Sequence, residues 1–194
     1  MSRSNLSTTL LLGLLSLAAC GDGDSKTPDA ASVPKGPGAT LKCQSSATGA
    51  NAFDTYGAAA FVAVNEEIFR LVGAEVAAHG SSNLGDSFTK VGTGIPASAS
   101  DDAATFKGKL AAFLVYAYGG PASITYSDGK SYDGPQDMVE AHTGLAITSA
   151  QFDYFISMIV VPALTAKGVT AADVTSCFAP VVTSAAFKAS IVGK

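Results

Sequence analysis

Apolar residues recur along most of this chain with the spacing of a helix and not of a strand. Phe61, Val64, Ile68, Leu71 and Val72 share one stripe, with Glu66 and Glu67 expected on the opposite side. After a break rich in glycine and serine, Phe106, Leu110, Phe113 and Ala117 form a second stripe. It stops at Gly119-Gly120-Pro121, because glycine caps a helix and proline cannot continue one. Asp133-Gly134-Pro135 opens a short helix with Met138, His142 and Leu145 on one face. Thr148-Ser149-Ala150-Gln151 then reads as a capping box, in which each end satisfies the other's free amide. The helix behind it buries Phe152, Phe155, Ile156, Ile159 and Ala163, with a kink expected at Pro162. A last helix from about Thr170 buries Val174, Phe178, Val181 and Ala185, and Pro180 is expected to break it midway. No alternating pattern predicts a strand, so the expected fold class is all-α. Two connections, Ala77 to Ala103 and Ala122 to Tyr132, are long for a compact domain and read as insertions or covers over a site.

The first residues follow a different pattern. Arg3 supplies a positive start and Leu10 to Ala19 is a short apolar run. A membrane-spanning helix needs roughly 20 apolar residues, so the run has the length of a secretory signal instead. It closes in Leu17-Ala18-Ala19-Cys20, which resembles the lipobox of bacterial lipoproteins, where the cysteine thiol takes the lipid. Asp22 to about Thr40 is rich in Pro, Gly, Ser and Asp, has no hydrophobic period, and reads as a flexible tether. The expected organisation is a signal peptide over 1–19, lipidated Cys20 and linker over 20–42, and one domain over 43–194. The expected location is outside the cytoplasm, anchored to a bacterial membrane through Cys20, on the periplasmic face or the cell surface.

Charge and cysteine count narrow the partners. The chain has a net charge of −4 and no cluster of Lys and Arg, so nucleic acid is not an expected partner. Of its three cysteines, Cys20 is assigned to lipid. Cys43 and Cys177 are then left together in an oxidising compartment, where a disulfide persists; two free thiols are the alternative. There is no CxxC metal or redox motif.

Chemistry then turns on the two histidines. His79 lies in a polar break, whereas His142 sits on the apolar face of a short helix. No second His or Cys stands at ligand spacing to either, so a protein-only zinc site is poorly supported. One imidazole suffices when a porphyrin already supplies four nitrogens to iron; a buried imidazole satisfied by a backbone carbonyl is the plainer reading of the same position.

The neighbouring residues add a resemblance. Lys107-Gly108-Lys109-Leu110-Ala111-Ala112-Phe113-Leu114, running into Gly119-Gly120-Pro121, resembles the distal helix of truncated haemoglobins of the group 1 type. Tyr132-Asp133-Gly134 followed by Asp137-Met138-Val139-Glu140-Ala141-His142-Thr143-Gly144-Leu145-Ala146-Ile147-Thr148 resembles the family's proximal segment. Phe53-Asp54 and Tyr56-Gly57 upstream, and Phe152 and Ala179-Pro180 downstream, fall in matching order. The likeness runs from about Phe53 to Ala185. It implies a two-over-two helical sandwich enclosing one haem b, with His142 as the proximal iron ligand and a diatomic gas (oxygen, NO or CO) as partner. It also implies that Phe88 packs against the haem, that Phe106 and Leu110 face the sixth coordination site, and that Phe113, Leu114 and Met138 are among the haem-binding residues. Lys107 and Lys109 fall near the propionates.

The pattern departs from the family in its distal donors. The tyrosine usual on the family's second helix is replaced at Phe69-Arg70; Arg70 aligns with it in an ungapped helix, while the apolar stripe turns Phe69 inward. The common distal glutamine is replaced by Leu110. His79, in an insertion near Phe88, stands as a candidate sixth ligand. The implied function is reversible gas binding by a haem lipoprotein. The alternative is a haem-free, globin-like lipoprotein acting as a structural or interaction module. Nitric oxide dioxygenation is a third reading, but no reductase domain, flavin motif or nicotinamide motif accompanies it, and no redox partner is identified.

Overall fold

The computed structural model describes residues 44–46, 48–92 and 102–194. The lipobox, the tether, Cys20 and Cys43 lie outside the described residues. The described part is predominantly helical.

Helix α1 (Ala52–His79) starts where the Asn51 side chain accepts from the Asp54 amide at 2.7 Å. It bends at Gly57, whose φ of 75° suits a residue without a Cβ. Beyond the bend Phe61, Val64, Ile68 and Val72 are all buried, as their spacing predicts. Glu67 departs from the expected polar face: it is 8% exposed and shielded by two cations. The first long connection contains helix α2 (Gly85–Gly92), which packs on α1.

Helix α3 (Ala103–Ala117) is capped by Asp102, which accepts from the Thr105 amide at 2.6 Å, and also packs on α1. It ends as predicted: Gly119 turns to a φ of 99° and the Gly120 amide reaches back to the Val115 carbonyl at 2.9 Å. The second long connection adds a short hairpin to a fold that is otherwise helical, as expected. Strand β1 (Ser123–Thr125) pairs antiparallel with β2 (Ser131–Asp133), placing Ile124 opposite Tyr132. Tyr132 and Tyr126 pack with Ala111 and Ala112 of α3 in a small cluster of their own. Gly108 makes this possible, because any Cβ there would overlap the Tyr132 ring.

Helix α4 (Met138–His142) is a little over one turn long. Helices α5 (Ser149–Tyr154) and α6 (Val161–Ala166) are joined by a π-helical stretch, Phe155–Val160, into one continuous rod. The capping box is present, with the Thr148 amide donating to Gln151 Oε1 at 2.8 Å. By length and composition Ser149–Ala166 is apolar enough to cross a membrane, but Phe152, Ile156, Ile159, Ala163 and Leu164 are buried in the core. The final segment comprises α7 (Ala171–Asp173), a second π-helical stretch (Val174–Phe178), α8 (Ala179–Val182) and α9 (Ala185–Ala189).

Pro180 does not break its helix as expected, and Pro162 likewise sits within continuous helix. Each is the second residue after a π-helical stretch, where the hydrogen-bond register is already widened by one residue. Backbone angles stay helical into Val161 and Ala179, so neither proline breaks its helix. The last helix stops instead at Thr183, and Ser184, at ψ 142°, caps α9. Ala185 is consequently exposed and not part of the buried stripe.

One core unites α1, α3, the Ser149–Ala166 rod and the final helices. At one end Phe61, Tyr118 and Phe178 pack ring against ring, with centroids 4.6 to 6.1 Å apart.

Candidate functional site

His142 is the last residue of α4, and each end of that helix is fixed. Asp137 caps the start, accepting from the Val139 and Glu140 amides at 2.9 and 3.2 Å. Met138 is buried in the core. After the helix, the Leu145 carbonyl accepts from Ser87 Oγ of α2 at 3.1 Å, and the Ala146 amide donates to the Lys194 carbonyl at 2.8 Å. Ala146 holds a φ of 50°, a conformation in which a residue with a Cβ stays only when its surroundings fix it.

The imidazole itself is half-buried. Its Nδ1 lies 2.7 Å from the Met138 carbonyl oxygen. A carbonyl only accepts, so Nδ1 carries the hydrogen and Nε2 keeps its lone pair. Burial pushes the pKa below the ordinary histidine value, against the opposing effect of the Met138 bond, and the ring is therefore neutral near pH 7. A neutral imidazole oriented through one nitrogen is the form that ligates a metal through the other. No group of three His, Cys, Asp or Glu side chains converges among the described residues. A single imidazole oriented in this way offers one nitrogen ligand, through Nε2. Phe88, Leu110, Leu114, Leu145 and Phe155 are partly buried and pack against the core, and Phe106 is partly buried as well.

The other sequence candidates fall into separate groups. Phe69 faces α3, edge-on to Phe106 with centroids 5.7 Å apart, and Lys107 Nζ lies 5.2 Å from the centre of its ring. Arg70 turns elsewhere: it is 63% exposed and its Nη2 bonds Glu67 Oε1 at 2.6 Å. Lys167, just beyond α6, reaches the same carboxylate at 3.2 Å. The Arg70 bond, aided by Lys167 and opposed by burial, lowers the Glu67 pKa to about 2. Arg70 is therefore engaged beside α6, and Phe69 is the residue of this turn that meets α3. Lys107 also pairs with Glu66 Oε2 at 3.1 Å. Lys109 is half-buried on α3.

Phe88 stacks on Phe155 at 4.7 Å. Phe113, buried, packs instead against Phe187 of α9 at 6.4 Å, on the side that also receives Phe152. His79 Nδ1 bonds Glu75 Oε1 at 3.0 Å, an oxygen that also accepts from Asn83 and Tyr154. Cys177 is buried and disulfide-bonded; its expected partner, Cys43, lies outside the described residues.

Two polar clusters were missed by sequence reasoning. The Asp173 carboxylate, fully buried, accepts from Ser45 Oγ, Ser46 N and Ser46 Oγ at 2.6 Å each and from Tyr56 OH at 2.5 Å. Burial alone would raise its pKa, but these bonds outweigh it and hold the group well below the ordinary aspartate range. Between α1 and the hairpin, Tyr126 donates to Glu66, and Asn65 Nδ2 donates to the Lys107 carbonyl at 3.0 Å. Only the N-cap character of Thr170, three residues before Asp173, hinted at either. Comparison with known protein families, with curated proteins and with solved structures gives no match.

Proposed function

We propose that this chain is a truncated-haemoglobin-like haem lipoprotein that binds a diatomic gas, with a two-over-two helical sandwich and His142 as the proximal ligand. The observation that carries the reading is the half-buried, neutral imidazole of His142, oriented by the Met138 carbonyl. In this reading haem b supplies the iron at which the gas binds. His142 Nε2 would hold the iron, the Met138 carbonyl fixes the plane of the imidazole, and Phe88 and Leu145 would exclude water on that side. Phe69, Phe106 and Leu110 form an apolar lining on the other. The Leu17-Ala18-Ala19-Cys20 motif supports export and a lipid anchor at Cys20, outside the cytoplasm.

The distal lining has a consequence for ligand choice. Oxygen draws partial negative charge when it binds and is retained by a hydrogen-bond donor, whereas CO and NO depend on one less. With Arg70 committed to Glu67, the missing donor costs oxygen about 1–3 kcal/mol, so oxygen is held weakly relative to CO and NO.

The test is a haemin titration of the domain from Lys42 onward, with wild type and His142→Ala compared. Saturable one-to-one binding, with a ferrous-CO spectrum lost or altered in the variant, is the expected result. A folded, helical protein that shows no saturable binding would overturn the haem reading and leave an interaction module.

A further inference from the structure

Four of the six tyrosines donate their hydroxyls to carboxylates: Tyr56 to Asp173, Tyr126 to Glu66, Tyr132 to Asp128 and Tyr154 to Glu75. Two of them are neighbours. The rings of Tyr126 and Tyr132 meet edge to face, 6.3 Å between centroids and 83° between planes, and are 5% and 8% exposed. The carboxylate oxygens divide their work around Tyr126. Glu66 Oε2 takes Lys107 Nζ, which leaves Oε1 to the Tyr126 hydroxyl, and Asn65 Nδ2 approaches the phenol oxygen at 3.4 Å. Tyr132 OH meets Asp128 Oδ2 at 2.6 Å.

We propose that Tyr126 and Tyr132 form a one-electron redox site in which Glu66 and Asp128 take up the phenolic protons. A phenol that loses an electron becomes a strong acid, so near neutral pH the electron leaves easily only when the proton has somewhere to go. Here bulk water is kept from both rings, and a carboxylate already accepts each hydrogen bond. In the first step Tyr126 gives one electron to a one-electron metal oxidant. Its O–H bond breaks, the proton bonds to Glu66 Oε1, and a neutral phenoxyl remains. Tyr132 can then reduce that phenoxyl: its electron passes to Tyr126, whose proton returns from Glu66, while its own proton passes to Asp128. Burial, then the bond to Glu66, keeps the Tyr126 phenol protonated beforehand, so electron and proton leave together. Burial also shields the phenoxyl from coupling with a second molecule.

The site is independent of haem and is tested on the full chain without it. Trivalent ruthenium tris-bipyridine, generated by a flash, serves as oxidant, and the tyrosyl product is followed by transient absorption and electron paramagnetic resonance. The expected result is a long-lived tyrosyl component that forms more slowly in deuterated water and is lost in Tyr126→Phe. Glu66→Gln keeps the tyrosine but slows formation by about tenfold or more. The proposal is overturned if Tyr126→Phe retains the long-lived component, or if Glu66→Gln forms it as fast as wild type.

Discussion

In the proposed haem reading, the turn of α1 that carries Phe69 and Arg70 sets how polar a gas ligand finds the interior. Arg70 stays with Glu67 and Lys167, while Phe69 meets Phe106. If the proposed haem site is right, Phe69→Tyr places a donor on the distal side and slows oxygen dissociation by about tenfold or more, since one such bond gives 1–3 kcal/mol; stopped-flow displacement of oxygen by CO measures it. Arg70→Ala, by contrast, leaves that rate within about twofold. An exposed ion pair contributes about 0–1 kcal/mol, so its effect on urea stability is small as well. A large change in oxygen release on Arg70→Ala would mean that the guanidinium swings inward. The sequence showed that the usual donor was absent, but not which of the two adjacent residues faced α3. That choice shows only once α3 is in place, where Phe69 meets Phe106.

Elements that depend on their own neighbours were legible; elements fixed by distant partners were not. The Phe61–Val72 stripe, the Thr148–Gln151 capping box and the Gly119-Gly120 stop each rest on contacts a few residues away. The hairpin escaped notice because three residues per strand are too few to show a period of two. Helix α2 is only eight residues long, and the π-helical stretches before Pro162 and Pro180 leave the apolar pattern looking like ordinary helix. The junction of Ser45 and Ser46 with Asp173 was equally hidden, because its partners come from opposite ends of the domain. Asp173→Asn removes a buried charge on which four donors converge and costs about 3 kcal/mol at pH 7. Because the folded pKa lies below the unfolded one, this stability is present above the ordinary aspartate range, near pH 4, and fades as pH falls below it. Urea unfolding at pH 7 and at pH 3 tests this: the gap between wild type and variant should narrow at the lower pH, and a gap independent of pH would contradict it.

Across the whole molecule, the far end of the chain reaches the candidate site. The Ala146 amide bonds the Lys194 carbonyl, and the Gly193 amide bonds the Ile147 carbonyl at 2.9 Å, so the final residues pin the segment that follows His142. Deleting Gly193 and Lys194 should leave the helical core folded, because Phe187 and Ile191 remain to fill it. It should also speed haem loss several-fold, on the order of 1 kcal/mol for the bonds removed; transfer of haem to an apo-globin acceptor reports the rate. Of the whole-molecule picture, a predominantly helical domain was legible from the sequence, and the tie from the C-terminal residues to the segment after His142 was not.

The central claim is that His142 ligates haem iron, and ligand replacement tests it most directly. In His142→Gly the proximal imidazole is gone, and free imidazole in solution can take its place. The account predicts that the ferrous wild type shows an iron–histidine stretch in its resonance Raman spectrum. The variant should lack that band, and added imidazole should restore it together with the wild-type CO spectrum. A variant whose ferrous spectrum matches the wild type without added imidazole would place the iron on another residue and contradict the account.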